Sequence, residues 1–281
     1  MCGILFLFCL LPARAVPPVP LTRPDLLYPS GIAPRFFGPN AFPVPDLLDG
    51  QIPDHLTIEE AADYYTGFLV KGATDITQDV FLRVHVPLYS HRVSLSFWMP
   101  VFERWHYDAS IREARRVEWD NQDIGYDTGD AYFGINIWIL EEGLHRPGMT
   151  LRFVTKTASG NNFGYARFFD APGYFADASI GKGLGLFRLS LTGGFLVWQS
   201  DNGRQDDALL YGLQASYNLS QLQLQGCFSG YYGWERYGDA PCTLKGRIAW
   251  HHGQFEPYFL FQRGLHDYPF TQLRVGLVYH H

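Results

Sequence analysis

Residues 187–198 read FRLSLTGGFLVW, with Phe187, Leu189, Leu191, Gly193, Phe195 and Val197 at odd positions and Arg188, Ser190, Thr192 and Gly194 between them. Alternate side chains of an extended chain point to opposite faces, so this stretch is a strand with one oily face. The same parity runs to the end of the sequence. Leu209, Tyr211, Leu213, Ala215 and Tyr217 alternate with Gly212, Gln214 and Ser216, and Leu222, Leu224 and Phe228 alternate with Gln223, Gln225 and Ser229. Leu244, Ile248 and Trp250 oppose Lys245 and Arg247; Phe255, Phe259 and Phe261 oppose Glu256 and Gln262; Leu273, Val275, Leu277 and Tyr279 oppose Arg274. Between these six strands lie residues 199–206, 218–221, 233–241, 251–254 and 263–270, so long and short connections alternate.

Soluble sandwiches alternate too, so strand length discriminates. Strands of about 9 to 11 residues cross a bilayer when tilted, whereas soluble strands average about 5 to 6. The longer figure fits. Tyr217, Trp250 and Tyr279 all fall at the short-turn ends of their strands, where an aromatic girdle would sit. By this strand and turn pattern the chain resembles the outer-membrane β-barrels of Gram-negative bacteria, including a closing strand with an aromatic near its end. It departs from them in ending on His280 and His281 instead of Phe. The resemblance implies an outer-membrane location, contact with outer-membrane lipid and lipopolysaccharide, and insertion by the barrel-assembly machinery.

Upstream the pattern is sparser. Strands are expected over residues 64–71, over 80–88 (Val80, Leu82, Val84, Val86, Leu88), and over 95–101 after a tight turn at 90–92. Three more are expected at Phe133–Ile139, Leu151–Thr157 and Tyr174–Ile180, the last followed by a Gly-rich turn at 181–185. The expected fold is all-β: a closed antiparallel transmembrane barrel of about twelve strands with a Pro-rich N-terminal arm and a short helix. An even count is the bacterial habit. Pro257 is a cost, because a closed barrel has no edge to hide a missing donor.

Composition agrees. The 281 residues include 16% aromatics, 29 Gly and only 18% charged side chains, with no apolar run long enough for a spanning helix. Residues 1–15 read as a signal peptide, with an apolar core at 2–11 and a small-residue site around Ala13 and Ala15. Residues 16–61 read as a periplasmic arm or plug, and residues 62–281 as the barrel. Ten prolines within 16–54 preclude a regular element there, yet Leu26, Tyr28, Phe36, Phe42 and Leu47 give the arm apolar surface to bury. Thr57-Ile58-Glu59-Glu60 has the form of a capping box and predicts a helix of about two turns ending near Tyr64.

Removing residues 1–15 takes away Arg14 and no acid, leaving 21 basic and 28 acidic side chains. That balance argues against a nucleic-acid partner. The inward parity nevertheless collects Arg83, His85, Arg152, Lys156, Arg188, Lys245, Arg247 and Arg274 against Asp177 and Glu256. Such a lumen either attracts anions or pairs with acids folded inward. Residues 102–130 form the longest gap between expected strands; Glu103, Arg112, Arg115, Arg116 and Glu118 are its candidates for a constriction. Asp120, Asp123 and Asp127 are weak candidates as Ca²⁺ ligands, without EF-hand spacing. A porin-like pore for small, anionic solutes is the leading expectation. The alternatives are a non-conducting structural or surface-binding barrel with a periplasmic or surface partner, and a lipid-acting hydrolase using a Ser/His pair near His85, Ser90, His91, Ser94 or Ser96. No cofactor is implied. Cys227 and Cys242 are expected to be free thiols, too far apart along adjacent strands to bridge.

Overall fold

The computed structural model describes residues 38–41, 46–88, 92–114, 123–160, 172–199, 205–233 and 240–281. The signal-peptide assignment at 1–15 and the first part of the arm lie outside them. Among the described residues thirteen strands follow in order: β1 Thr57–Gly67, β2 Asp75–Pro87, β3 Val93–Tyr107, β4 Ile124–Asp127, β5 Tyr132–Leu140, β6 Gly148–Lys156, β7 Gly173–Leu184, β8 Phe187–Gln199, β9 Gln205–Leu219, β10 Leu222–Tyr232, β11 Cys242–Trp250, β12 Phe255–His266 and β13 Phe270–His280, with a 3-10 turn at Pro39–Ala41 and one short α-helix, α1 Ala109–Ala114, between β3 and β4. Neighbours pair antiparallel throughout, and β1 pairs with both β2 and β13. Twelve strands therefore close a barrel, while β4 is a short thirteenth that extends the far half of β3.

Outward-facing Leu189, Leu191, Leu209, Leu213, Ile248 and Val275 belong to an exposed apolar belt far too extensive for a soluble monomer. Aromatic pairs flank it: Phe187 with Tyr217 and Phe255 with Tyr279 at the short-turn end, and Phe102 with Tyr126 toward the other. The tight turns after β7, β9 and β11 take their bend from Gly185, Ser220 and Gly253, each at positive φ.

Four expectations are corrected. The capping box at Thr57–Glu60 opens no helix; those residues begin β1, in register from Thr57 opposite His280 to Gly67 opposite Phe270. Closure of the barrel requires a strand there, and Glu59, Ala61, Asp63 and Tyr65 supply an inward face. The supposed long gap from 102 is shorter because β3 runs on to Tyr107. A bulge opposite Val80 and Phe81 skips Val101 and reverses the parity, so Glu103, Trp105 and Tyr107 turn inward after Leu95 and Phe97 faced out. The connection expected at 263–270 shrinks to residues 267–269, since β12 reaches His266. The turn expected at 181–185 is only Gly185 and Leu186, because β7 continues to Leu184. Pro257 lies one residue beyond the last β11–β12 pair, Ala249 with Tyr258, so its missing donor interrupts no rung of that ladder. Gly230 faces Cys242 and Cys227 faces Lys245, three rungs away, and both cysteines are free.

Candidate functional site

The lumen holds part of the chain itself. From Leu56, whose carbonyl accepts the His281 amide, the arm runs back between the walls. Gly50 and Asp49 rest on β6 and β7 at positions kept open by glycine. A Cβ on Gly181 would stand 1.7 Å from the Asp49 carbonyl oxygen, and one on Gly148 would stand 2.5 Å from that of Gly50. Gly50 itself is at φ +82°, a conformation that disfavours any side chain. Leu47 then fills the space over Gly212 of β9.

Asp46 reaches the cationic wall. Its carboxylate takes Arg83 of β2 at 2.7 Å on one oxygen and Lys245 of β11 at 2.8 Å on the other. Burial alone would push this carboxyl up, but the attraction of Lys245, Arg83 and Arg274 outweighs it and holds Asp46 well below the usual carboxylate range. Asp49 repeats the motif on Arg188, through a carboxylate contact at 3.1 Å and a backbone hydrogen bond from Nε at 3.0 Å. A cavity of 390 Å³ remains beside the arm, lined by Asp46, Arg83, His85, Trp98 and Arg274 among others. A second of 200 Å³ lies across Asp46 and Leu47, bounded by Lys245, Arg247, Gln214 and Tyr258.

Every inward Arg and Lys named from the sequence meets an acid. Arg274 forks onto Asp63, with Nε to Oδ1 at 2.7 Å and a terminal nitrogen to Oδ2 at 2.6 Å. Arg152 takes Asp177 at 2.6 Å, Lys156 binds Asp130, Arg247 binds Glu256, and Arg188 also holds Glu142 at 2.7 Å. Glu142 sits in the β5–β6 turn; slight burial raises its carboxyl, while the Gly183 amide and Arg188 more than offset this and lower it. His85 is buried and shares the larger cavity with Pro53.

Sequence parity therefore found the cations but missed most of their partners. Glu59 and Asp63 were hidden in the supposed helix, Asp79 preceded the expected second strand, and Asp46 and Asp49 belong to an arm with no periodicity. Asp63, Asp79 and Glu103 stand at one level on β1, β2 and β3. Asn40 of the arm donates to Asp79 at 2.7 Å and to Glu103 at 2.8 Å, bridging two of them. Above this row Tyr65, Phe175, Leu196, Tyr231 and Phe270 pack into an apolar cluster with Ala41 of the arm.

The remaining candidates are scattered. Glu103 is in β3, fully buried, and Arg112 of α1 lies 3.4 Å from Asp123. Asp127 caps the Thr128 amide at 2.7 Å, so Asp123 and Asp127 stand at opposite ends of β4 and do not converge. Arg115, Arg116, Glu118 and Asp120 lie outside the described residues. The Asn136 amide nitrogen donates to Ser94 Oγ at 3.1 Å, and His85 faces Ser96 across β2 and β3. Ser90 and His91 lie outside the described residues.

No protein-family model matches the chain, and no curated protein sequence matches it. Solved structures do. An outer membrane channel from Pseudomonas putida F1 is similar with a TM-score of 0.62 and 14% identity, over 84% of this chain and 100% of that one. The NanC porin gives 0.52 and 11%, over 79% and 98%, and the KdgM porin gives 0.50 and 9%, over 79% and 98%. At such identities the likeness is one of fold: the chain is an outer-membrane-type β-barrel.

Proposed function

We propose that this protein is a porin-like channel of the Gram-negative outer membrane for small anionic solutes, and that its own arm occupies the solute path. The short turns and both ends of the barrel, Thr57 and His280, then face the periplasm, the long connections face outward, and residues 1–15 direct export. The observation that carries the reading is the Asp46 carboxylate held between Arg83 and Lys245. A carboxylate from a mobile solute would find the same two donors, so the arm stands where an anion would bind. Among the described residues the ion pair of Lys245 is with Asp46, and arm withdrawal leaves that ammonium facing the lumen. Arg83 keeps Glu59 at 3.2 Å, and Arg188 keeps Glu142.

The test is the reversal potential in planar bilayers under a salt gradient. Lys245→Glu should shift it toward cations, most strongly in protein lacking residues 16–50. Equal selectivity in the parent and the variant would sink the anion assignment. A second reading, a non-conducting structural barrel, draws on the apolar cluster around Phe175, Leu196 and Phe270, which narrows the lumen above the acidic row. That reading expects silence with and without the arm.

A further inference from the structure

We propose that His251, Glu256 and His280 form a binding site for a divalent transition-metal ion of the zinc class at the short-turn rim, with Asp54 and His55 of the arm holding one ligand in place. The three side chains come from the turn just after β11, the start of β12 and the end of β13. Sequence spacing gives no hint of this meeting, which the register creates: the His280 amide donates to the Gln254 carbonyl at 2.8 Å, bringing the last residues of β13 beside the turn that precedes Glu256.

The ligand atoms already converge. His251 Nδ1 lies 2.8 Å and His280 Nε2 3.2 Å from the same oxygen, Oε2 of Glu256, and all three atoms lie within 4.8 Å of one another. Around a tetrahedral ion with ligand distances near 2.0–2.1 Å, neighbouring donors stand about 3.3 Å apart. Two separations are close to that, and the third closes by rotation of His251, whose side chain is 46% exposed. Two imidazoles and a carboxylate with a fourth position open to solvent is a donor set that suits zinc-class ions.

The hydrogen bonds behind the site favour the ligating tautomer. Asp54 can only accept, so the 2.6 Å contact puts a proton on His55 Nδ1. Neutral His55 then accepts at Nε2 from His280 Nδ1, 2.7 Å away. This leaves the lone pair of a neutral His280 at Nε2, aimed at a carboxylate oxygen that is also an acceptor. A proton on Nε2 would make this contact an ordinary hydrogen bond; the proposed metal ion bridges the two atoms in its place. Arg247 meanwhile holds the other oxygen of Glu256, which presents Oε2 as a single-oxygen ligand. A carboxylate–histidine relay behind a metal-binding histidine is a recurrent supporting arrangement. Here its members belong to the arm, so an ion at the rim would also fasten the base of the arm to β13.

The full chain, purified in detergent and stripped with a chelator, should be titrated with Zn²⁺ against a chromogenic competitor. The expected result is one ion per chain, with His251→Gln, Glu256→Gln and His280→Gln each weakening binding more than tenfold. Asp54→Asn should weaken it by about 10- to 100-fold. His252→Gln and His281→Gln, which alter exposed rim histidines outside the cluster, should bind as the parent does. Co²⁺ should give the intense visible absorption of a four-coordinate site, and His251→Gln should abolish it. His251 reaches the cluster from an exposed turn, so this variant reports even if His280→Gln does not fold. Absence of saturable binding would overturn the proposal, as would a one-to-one site that survives His251→Gln and Glu256→Gln.

Discussion

Replacing Gly181 should expel the arm. The position faces the lumen on β7, and a Cβ there would sit 1.7 Å from the Asp49 carbonyl oxygen and 2.7 Å from its carbon. An ordinary carbon–oxygen contact is near 3.3 Å, so alanine demands a displacement of about 1.5 Å from an obstacle that is backbone and has no rotamer to escape into. The displaced Asp49 would lose its 3.0 Å bond and 3.1 Å ion pair with Arg188. Hydrogen bonds to charged groups are worth roughly 1.5–3 kcal/mol each, so losing one shifts the balance between docked and undocked arm by about 10- to 100-fold. Gly181→Ala should therefore raise the amide exchange of residues 46–50 and the open fraction in bilayer recordings. Gly193→Ala is the control, because its Cβ would point outward and meet no atom within 4 Å. If Gly181→Ala matched the parent in both measurements, or if Gly193→Ala had the same effect, the seating of the arm on β7 would be wrong.

Other outcomes follow from the same contacts. Asp63→Ala removes both close contacts of the Arg274 guanidinium and leaves it the longer 3.8 Å pair with Glu59, which should destabilise the barrel by at most about 3–5 kcal/mol, read as a lower temperature for loss of the heat-modifiable folded band. Gly212→Val would place side-chain atoms in the space filled by Leu47, whose Cδ1 lies 2.3 Å from an ideal Cβ, and should loosen the arm as Gly181→Ala does. Protease added to intact cells should cut within the long connections, such as 157–172 and 233–241, and spare Ser220–Gln221 and 251–254; cleavage of the short turns from outside would invert the orientation. Chelation should speed exchange at residues 54–56 in the parent and leave it unchanged in His251→Gln.

The half of the barrel from β8 onward is legible because lipid on one side and lumen on the other impose strict alternation on long strands, and every second connection is a tight turn. β1 is not, since Thr57-Ile58-Glu59-Glu60 satisfies a helix cap locally and becomes a strand only through long-range pairing with β13. β3 misleads for a different reason: the bulge near Val101 exchanges its faces midway, and a reading at fixed parity loses Glu103, Trp105 and Tyr107. Inward cations are conspicuous in alternating strands. Their partners Asp46 and Asp49 lie in a Pro-rich segment whose path is set by the glycine openings at 148, 181 and 212, and no local rule connects the two. The rim cluster of His251, Glu256 and His280 is likewise a product of register.

The most direct test of the central claim is the single-channel conductance of the full chain beside that of a chain lacking residues 16–50, with residues 51–56 kept so that the His55 and Leu56 contacts to the barrel end survive. The account predicts brief or small openings for the full chain and a larger, anion-preferring conductance once the arm is gone. Identical conductance in the two, or silence in both from folded barrels, would contradict it.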